Sequence, residues 1–439
     1  MNNVAAGLTA YAGLTLGAFA VLGRVFDVED SGLLVACFIS SALVAHLFGE
    51  AITCTYVGIP AEDVVSVLPA HRLAKAGLGA VAVRASADGA LAGLVLSSIL
   101  LIPLCCVMGW PLGLYPSLRK IMGVFMILLS ARLIVAEGYP RLRTRVERKR
   151  PIIRILKASL VFLAAGLLGC MVLSSRYYSA PLPDLPWLRA GFVSPSSLLL
   201  PLFAGLFGIP SLVLSMGSRR AYDVQAGLLP RVTLKIGSRD FVLTMLGGSM
   251  VGWMPGMTSG SSVSVCAPNM QETSGDENVR SSCRFIWLYS SISASGTVFA
   301  LGALFVILRA RSGSMDAVSA FLGSVDGSNS WLSDIGLMLT ILFSMLVAAV
   351  ISRWAIDLLM TRLSNLGRVL CSRELAITSL AFVCSLSTVL TGTRGALVMF
   401  TAAMLGLLPP LIGVRRIQLM GCLLVPISIM FIENMMSQS

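Results

Sequence analysis

Hydrophobic positions along this chain fall into long unbroken runs, without the alternation of a half-buried strand or the narrow apolar stripe of a surface helix. The runs cover 4–23, 32–57, 80–108, 117–136, 155–175, 195–216, 239–254, 284–309, 332–352, 374–393, 395–412 and 416–433. Many reach the roughly 18–20 apolar residues that carry a helix across a bilayer. In hydrocarbon a spanning segment must satisfy its own backbone polar groups, so each run predicts a helix. The expected fold class is an all-α polytopic membrane protein with about 10–12 transmembrane helices. The longest polar stretches are 137–153, 217–237, 256–283 and 353–373, and no soluble domain is expected. The first run has no positive n-region and is followed by the acidic "DVED", which predicts a retained span, not a cleaved signal.

Composition strengthens this picture. The chain is 56% hydrophobic and 12% charged, against about 25% charged residues in a soluble domain. The formal net charge of +12 reads as a membrane feature, because basic residues gather on cytoplasmic loops. "RLRTRVERKRPIIRILK" (141–157) holds eight basic residues and one acidic and marks the cytoplasmic side. Arg219, Arg220, Arg231 and Lys235 form a second cluster, Arg353, Arg362, Arg368 and Arg373 a third, and Arg415–Arg416 a fourth. The predicted localisation is the cell membrane, multi-pass. No basic stripe with interleaved aromatics suggests a nucleic-acid partner. The ten cysteines are scattered without a CxxC pair, which predicts small buried hydrophobes, with no disulfide framework and no metal site.

Keeping every basic cluster on one side imposes a constraint on 239–283. That stretch must enter and leave on the same side, as a helix that stops at Pro255 and returns irregularly. The competing arrangement makes 239–254 a full span and puts net positive charge outside. A helix interrupted within the membrane is tolerated only where protein buries it or a cavity hydrates it.

Two pairs of segments match at nearly one offset. "YVGIPAEDVVSVLP" (56–69) parallels "MVGWMPGMTSGSSVSVCAP" (250–268), with 195 residues between Pro60 and Pro255. "LFAGLFGIPSLVL" (202–214) parallels "AAMLGLLPPLIGV" (402–414), with 199 residues between Pro210 and Pro409. These matches predict two pseudo-repeats with broken or re-entrant helices, 1–235 and 236–439. Their relative orientation is open, the charge count leaning towards parallel. Paired broken helices meeting near the midplane are a pattern of secondary transporters.

The broken segments carry the candidate chemistry. A helix stopping in the membrane leaves backbone groups that side chains, water or a ligand must satisfy. "PGMTSGSSVS" offers the hydroxyls of Thr258, Ser259, Ser261, Ser262 and Ser264, and Gly256 and Gly260 permit close approach. Helix N-termini and glycine nests favour anions. The segment is thus either half of a ligand cradle or a hinge whose hydroxyls serve the local backbone. The candidate substrate-binding set is Gly58, Pro60, Asp63, Gly252, Pro255, Gly256, Thr258, Ser259, Gly260, Ser261 and Ser262. His46 and Glu50 lie four apart on one helix face inside an apolar run, a pairing able to carry a coupling proton. Asp88 lies early in a span and completes the coupling set. Glu62, His71 and Arg394 are further ionisable groups near spans. No GxSxG, HExxH, Walker A or paired catalytic carboxylates occur, so an enzyme is not expected.

"VGIPAEDVVSVLPAHRLAKAG" (57–77) resembles the first signature of the tripartite tricarboxylate transporter large membrane subunit family, in its archaeal branch. Gly58, Pro60, Glu62, Asp63, Pro69, His71 and Arg72 carry the match. "GWMPGMTSGSS" resembles the second signature through Gly252, Pro255, Gly256, Ser259 and Gly260, and "GLLPPLIGVRRIQLMGCLLVP" resembles the family's C-terminal end. The resemblance implies a secondary transporter of small carboxylate anions coupled to a cation, Na+ or H+, with no other cofactor. Bacterial members of that family work with a small membrane subunit and a periplasmic binding protein; the partners expected here are a small anionic substrate, the lipid bilayer, and a small membrane subunit or a homo-oligomer. The sequence departs from the bacterial form around the first signature. "PGMTSG" is also similar to an element of a polyprenyl-phosphate transporter family, which leaves a lipid-phosphate translocase as the alternative.

Overall fold

The computed structural model describes residues 31–57, 67–138, 151–174, 198–216, 234, 236–254, 256–267, 279–322, 334–362 and 373–436. The elements, in chain order, are α1 (Ser31–Ile52, continued by a π-helical turn Thr53–Val57), α2 (Val67–Lys75), α3 (Gly79–Met108), α4 (Leu114–Gly138) and α5 (Pro151–Ser174). Then come α6 (Leu199–Phe203, a π-helical turn Ala204–Gly208, and Ile209–Met216), α7 (Ser238–Trp253), α8 (Ser259–Cys266), α9 (Val279–Ile307) and α10 (Gly313–Leu322). The last are α11 (Ile335–Arg362), α12 (Arg373–Ile412), a 3-10 turn Arg416–Met420 and α13 (Gly421–Met436). Among the described residues eight helices are long and apolar enough to cross a membrane, with Leu199–Leu214 and Ile377–Val389 as shorter apolar helices. The chain is an all-α, multi-pass membrane protein. The first predicted run, 4–23, lies outside the described residues.

Over its described residues, every other predicted run coincides with a helix to within a few residues. The runs 374–393 and 395–412 are the two arms of α12, divided at Gly392 with φ 70° and ψ −168°. The arms fold back on each other, since Val383 and Met399 share one small core with Ala204. Periodicity alone did not predict α2, α8 and α10, because each is too short to leave a membrane-length run.

The centre of the bundle is a three-helix contact built on small residues. α3 lies against α9 so closely that a Cβ at Gly89 or Gly93 would run into the carbonyls of Trp287 or Ser291. A Cβ at Gly302 would sit 2.7 Å from Leu101. These pairs advance together along both helices, so α3 and α9 run parallel. Small residues at such crossings replace the hydrophobic driving force that lipid does not supply. α7 joins the same sheaf: Asp240 pairs with Arg284, Thr244 with Ser291, and Gly252 packs on Phe299. α7 and α9 are therefore parallel as well. The connection between them starts at the far end of α7 and finishes at the near end of α9, which is the re-entrant course the basic clusters require.

The remaining helices place the basic stretches together. Gly123 of α4 packs on Phe431, while Leu133 accepts from Gln418 and Glu137 from the Arg415 backbone, so α4 and α13 are antiparallel. α6 runs parallel to the second arm of α12, with Gly205 against Ala402, Gly406 against Pro210, and Arg416 donating to Ser211 at 2.9 Å. Asp88 and Arg84 of α3 meet Arg353 and Asp357 of α11, an antiparallel register. The helix ends that flank 139–150, 217–237 and 363–372, together with Arg415, thus share one end of the bundle.

Of the segments matched by the sequence offset, 202–214 packs on 402–414 in parallel. Most of 56–69 lies outside the described residues, but the helices that follow the first matched pair, α3 and α9, pack on each other in parallel. The helices leading into the two breaks differ, however. α1 descends antiparallel to α3, its Tyr56 ring against Gly79 at the start of that helix, whereas α7 rises parallel to α9.

Candidate functional site

The chain breaks its own helix inside the bundle. α7 ends at Trp253, and Met254 leaves helical geometry with φ −93° and ψ 127°. Gly252 lies against Phe299, about two turns before α9 ends, so the break is recessed below the end of the sheaf. Gly256 has φ +73°, with Ile427 at 3.0 Å from where a Cβ would be. Only glycine adopts that conformation without steric penalty. Thr258 then caps α8: its Oγ1 accepts from the Ser261 N–H at 3.3 Å, and its own N–H donates to Ser261 Oγ at 2.9 Å. This reciprocal pair is a capping box built with serine at the third position.

The hydroxyls of Ser261, Ser262 and Ser264 are directed at backbone. Ser262 Oγ donates to the Gly247 carbonyl at 2.8 Å, tying α8 to α7, and Ser264 Oγ donates to Gly260 at 2.7 Å. Ser261 Oγ donates to the Thr258 carbonyl at 2.8 Å. Ser259, Gly260, Ser261 and Ser262 are buried, while Gly256, Thr258 and Ser264 keep partial exposure. In this conformation the serines hold the re-entrant turn together, and the open part of the break is Gly256–Thr258, at the positive end of the α8 dipole. Gly252 is a packing glycine: a Cβ there would lie 2.5 Å from Phe299.

A separate cavity of about 450 Å³, its open mouth included, lies on the other face of α9. Glu50 and Thr55 line it from the end of α1, Ser86 from α3, and Tyr289, Ser290 and Ser293 from α9. Ser86 and Ser290 bridge its walls through a 2.6 Å hydroxyl contact. His71 Nδ1 stands 3.2 Å from the Thr55 carbonyl behind the wall. α9 separates this cavity from the break. Its Ser290 and Ser293 face the cavity, while Ile292 packs on Gly247 beside Ser262.

The predicted residues therefore divide. Gly256, Thr258, Ser259, Gly260, Ser261 and Ser262 come together at the break, beside Gly252. Gly58, Pro60, Asp63 and Pro255 lie outside the described residues. Glu50 reaches the cavity, while His46, one turn earlier on α1, is not part of its lining. Asp88 faces elsewhere: it binds Arg353 at 2.6 Å, in a chain of charges that continues through Asp357 to Arg84. Two cations and two anions balance there, clamping α3 to α11. Arg394 is exposed just past the kink at Gly392.

Two clusters escaped sequence reasoning. Asp240 is fully buried, binds Arg284 through both carboxylate oxygens at 2.8–3.2 Å, and accepts the Gly237 N–H at 3.0 Å. An aspartate three residues after a helix cap, and an arginine opening an apolar run, were the available signals. The second cluster is Arg311, whose Nη2 donates to the Trp253 carbonyl and to the Tyr115 hydroxyl. Burial lowers the Arg311 pKa, and the Tyr115 contact opposes that shift.

Fold and site together define a multi-pass helical membrane protein whose sheaf is interrupted by a capped, re-entrant helix. The profile of the Tripartite tricarboxylate transporter TctA family matches residues 4–421. The chain belongs to that family and is a component of a tricarboxylate transport system. No curated protein and no solved structure matches it.

Proposed function

We propose that the chain is a carrier, not an enzyme, moving small carboxylate anions by secondary active transport driven by a cation gradient of Na+ or H+. The observation that carries this reading is the break at Gly256–Thr258, in a chain whose family is a transporter family. A partly exposed helix N-terminus within the bundle supplies N–H groups and positive potential to a carboxylate. Glu50 is the candidate coupling group, because it places a carboxylate in the cavity beside the hydroxyls of Thr55, Ser86 and Ser290. His46, four residues before it, is the proposed proton partner. Asp88, held by Arg353, is proposed to act on coupling through the α3–α11 contact. A small membrane subunit or a second copy of this chain completes the proposed assembly, in the cell membrane.

Uptake of radiolabelled citrate and succinate into proteoliposomes, under an imposed Na+ or H+ gradient, tests the proposal. Gradient-dependent accumulation is expected. Glu50→Gln should abolish the dependence on the driving cation while the protein remains folded. Accumulation that ignores both gradients would remove the coupling, and translocation of a polyprenyl phosphate without carboxylate uptake would favour the lipid-phosphate alternative.

A further inference from the structure

Beside the break is a polar cluster in which two buried donors lack acceptors. Arg311 lies just past α9 and reaches back to the last residue of α7, where Nη2 meets the Trp253 carbonyl and the Tyr115 hydroxyl. Its Nε is buried and has no hydrogen-bond partner. The Trp253 indole nitrogen, on a side chain 3% exposed, is likewise buried and unpartnered. The Tyr115 and Trp253 rings lie 6.4 Å apart, so the three side chains form one group. Among the described residues Arg311 pairs with no carboxylate. The C-terminal dipole of α7 offsets only about half a unit charge.

Indole and guanidinium N–H groups donate and never accept. A buried donor left unsatisfied costs about 1–3 kcal/mol, more when charged. Capping one carbonyl of α7 requires a single donor, and a lysine would supply it. The surplus of donors around an uncompensated positive charge is complementary to an oxyanion, which a guanidinium and an indole N–H can bind together. Trp253 is the last residue of α7, so whatever docks on this cluster is next to Gly256 and Thr258 along the same chain.

We propose that Arg311, with Trp253 and Tyr115, forms an oxyanion station that receives a carboxylate of the carried anion. The station lies on the side of the break away from the basic helix ends. It rests on the carrier reading above. It assigns the substrate's approach to a guanidinium and an indole, groups other than the Gly256–Thr258 turn itself.

The test is citrate binding to the purified full-length chain by calorimetry, compared with Arg311→Lys and Trp253→Phe. Lysine keeps the charge and the cap but removes the fork, and phenylalanine keeps the packing but removes the N–H. The wild type should bind citrate saturably. Arg311→Lys should weaken binding about tenfold or more and Trp253→Phe about two- to tenfold, as for a lost charge-assisted and a lost neutral hydrogen bond. The unliganded melting temperatures should stay near the wild-type value. If Arg311→Lys does not fold, Trp253→Phe decides alone. Wild-type affinity in a folded variant overturns the station, as does binding of inorganic phosphate in preference to citrate. Uptake measured on the same variants separates the two ideas: citrate transport with unchanged apparent KM ends the station and leaves the carrier reading standing, whereas a wild type that binds citrate at Arg311 without transporting it does the reverse.

Discussion

Asp240 and Arg284 show how much one residue can hold in a bundle with few charges. The carboxylate is fully buried and satisfied three ways, by the two guanidinium nitrogens and by the Gly237 N–H that starts α7. Arg284 keeps 39% of its side chain exposed, so the two partners are not equivalent. Removing the arginine strands a buried anion, while removing the aspartate leaves a cation that water still reaches. Arg284→Ala is therefore expected to cost about 3 kcal/mol and Asp240→Asn less, against ~3–5 kcal/mol for breaking a fully buried pair. Thermal unfolding of the two variants in detergent checks the order, and equal losses would contradict it. At this scale the sequence was partly legible. Thr258 and Ser261 were visible as polar residues after a helix stop, but their mutual capping depends on backbone angles that composition does not reveal. Glu50 stood out because an ionisable residue in an apolar run is expensive, and it does reach a cavity. Asp88 stood out for the same reason, yet its partner Arg353 is distant in sequence and sits on another helix.

Among the elements, α7, α8 and α9 form the unusual unit. Two parallel neighbours joined in sequence require the connection to return, and the break at Met254–Thr258 is where the return begins. The basic clusters made this course legible before any geometry, since topology constrains where positive loops lie. The sites of contact were less so. Gly89 and Gly93 look like ordinary glycines of an apolar helix until Trp287 and Ser291 are placed against them. The breaks near Pro60 and Pro255 looked alike in sequence, but α1 and α7 approach them in opposite senses relative to α3 and α9. Helix direction is a property of the whole bundle and leaves no local mark. Single cysteines at Ser238 and Arg280 should react with a membrane-impermeant thiol reagent from the same side, and one at Gly313 from the other. Labelling of Ser238 and Arg280 from opposite sides would make 239–254 a full span and dissolve the re-entrant unit.

For the molecule as a whole, the helix ends beside the basic stretches gather at one end, and the Arg311 cluster occupies the sheaf beyond the break. That polarity predicts a cysteine at Arg145 reactive only from the cytoplasm and one at Asp184 reactive only from outside. The reverse at both positions would overturn the orientation. Between the two ends, the proposed carrier depends on one backbone feature, the left-handed turn at Gly256 that opens the helix. Valine there would be forced into a conformation costing about 1–2 kcal/mol or more, and its side chain would press on Ile427. The most direct measurement is citrate uptake by proteoliposomes holding the wild type or Gly256→Val, with folding checked by size-exclusion profile and melting temperature. Gradient-driven uptake is expected from the wild type and none from a folded Gly256→Val. Uptake by the variant at the wild-type rate and affinity would contradict the carrier's dependence on this turn.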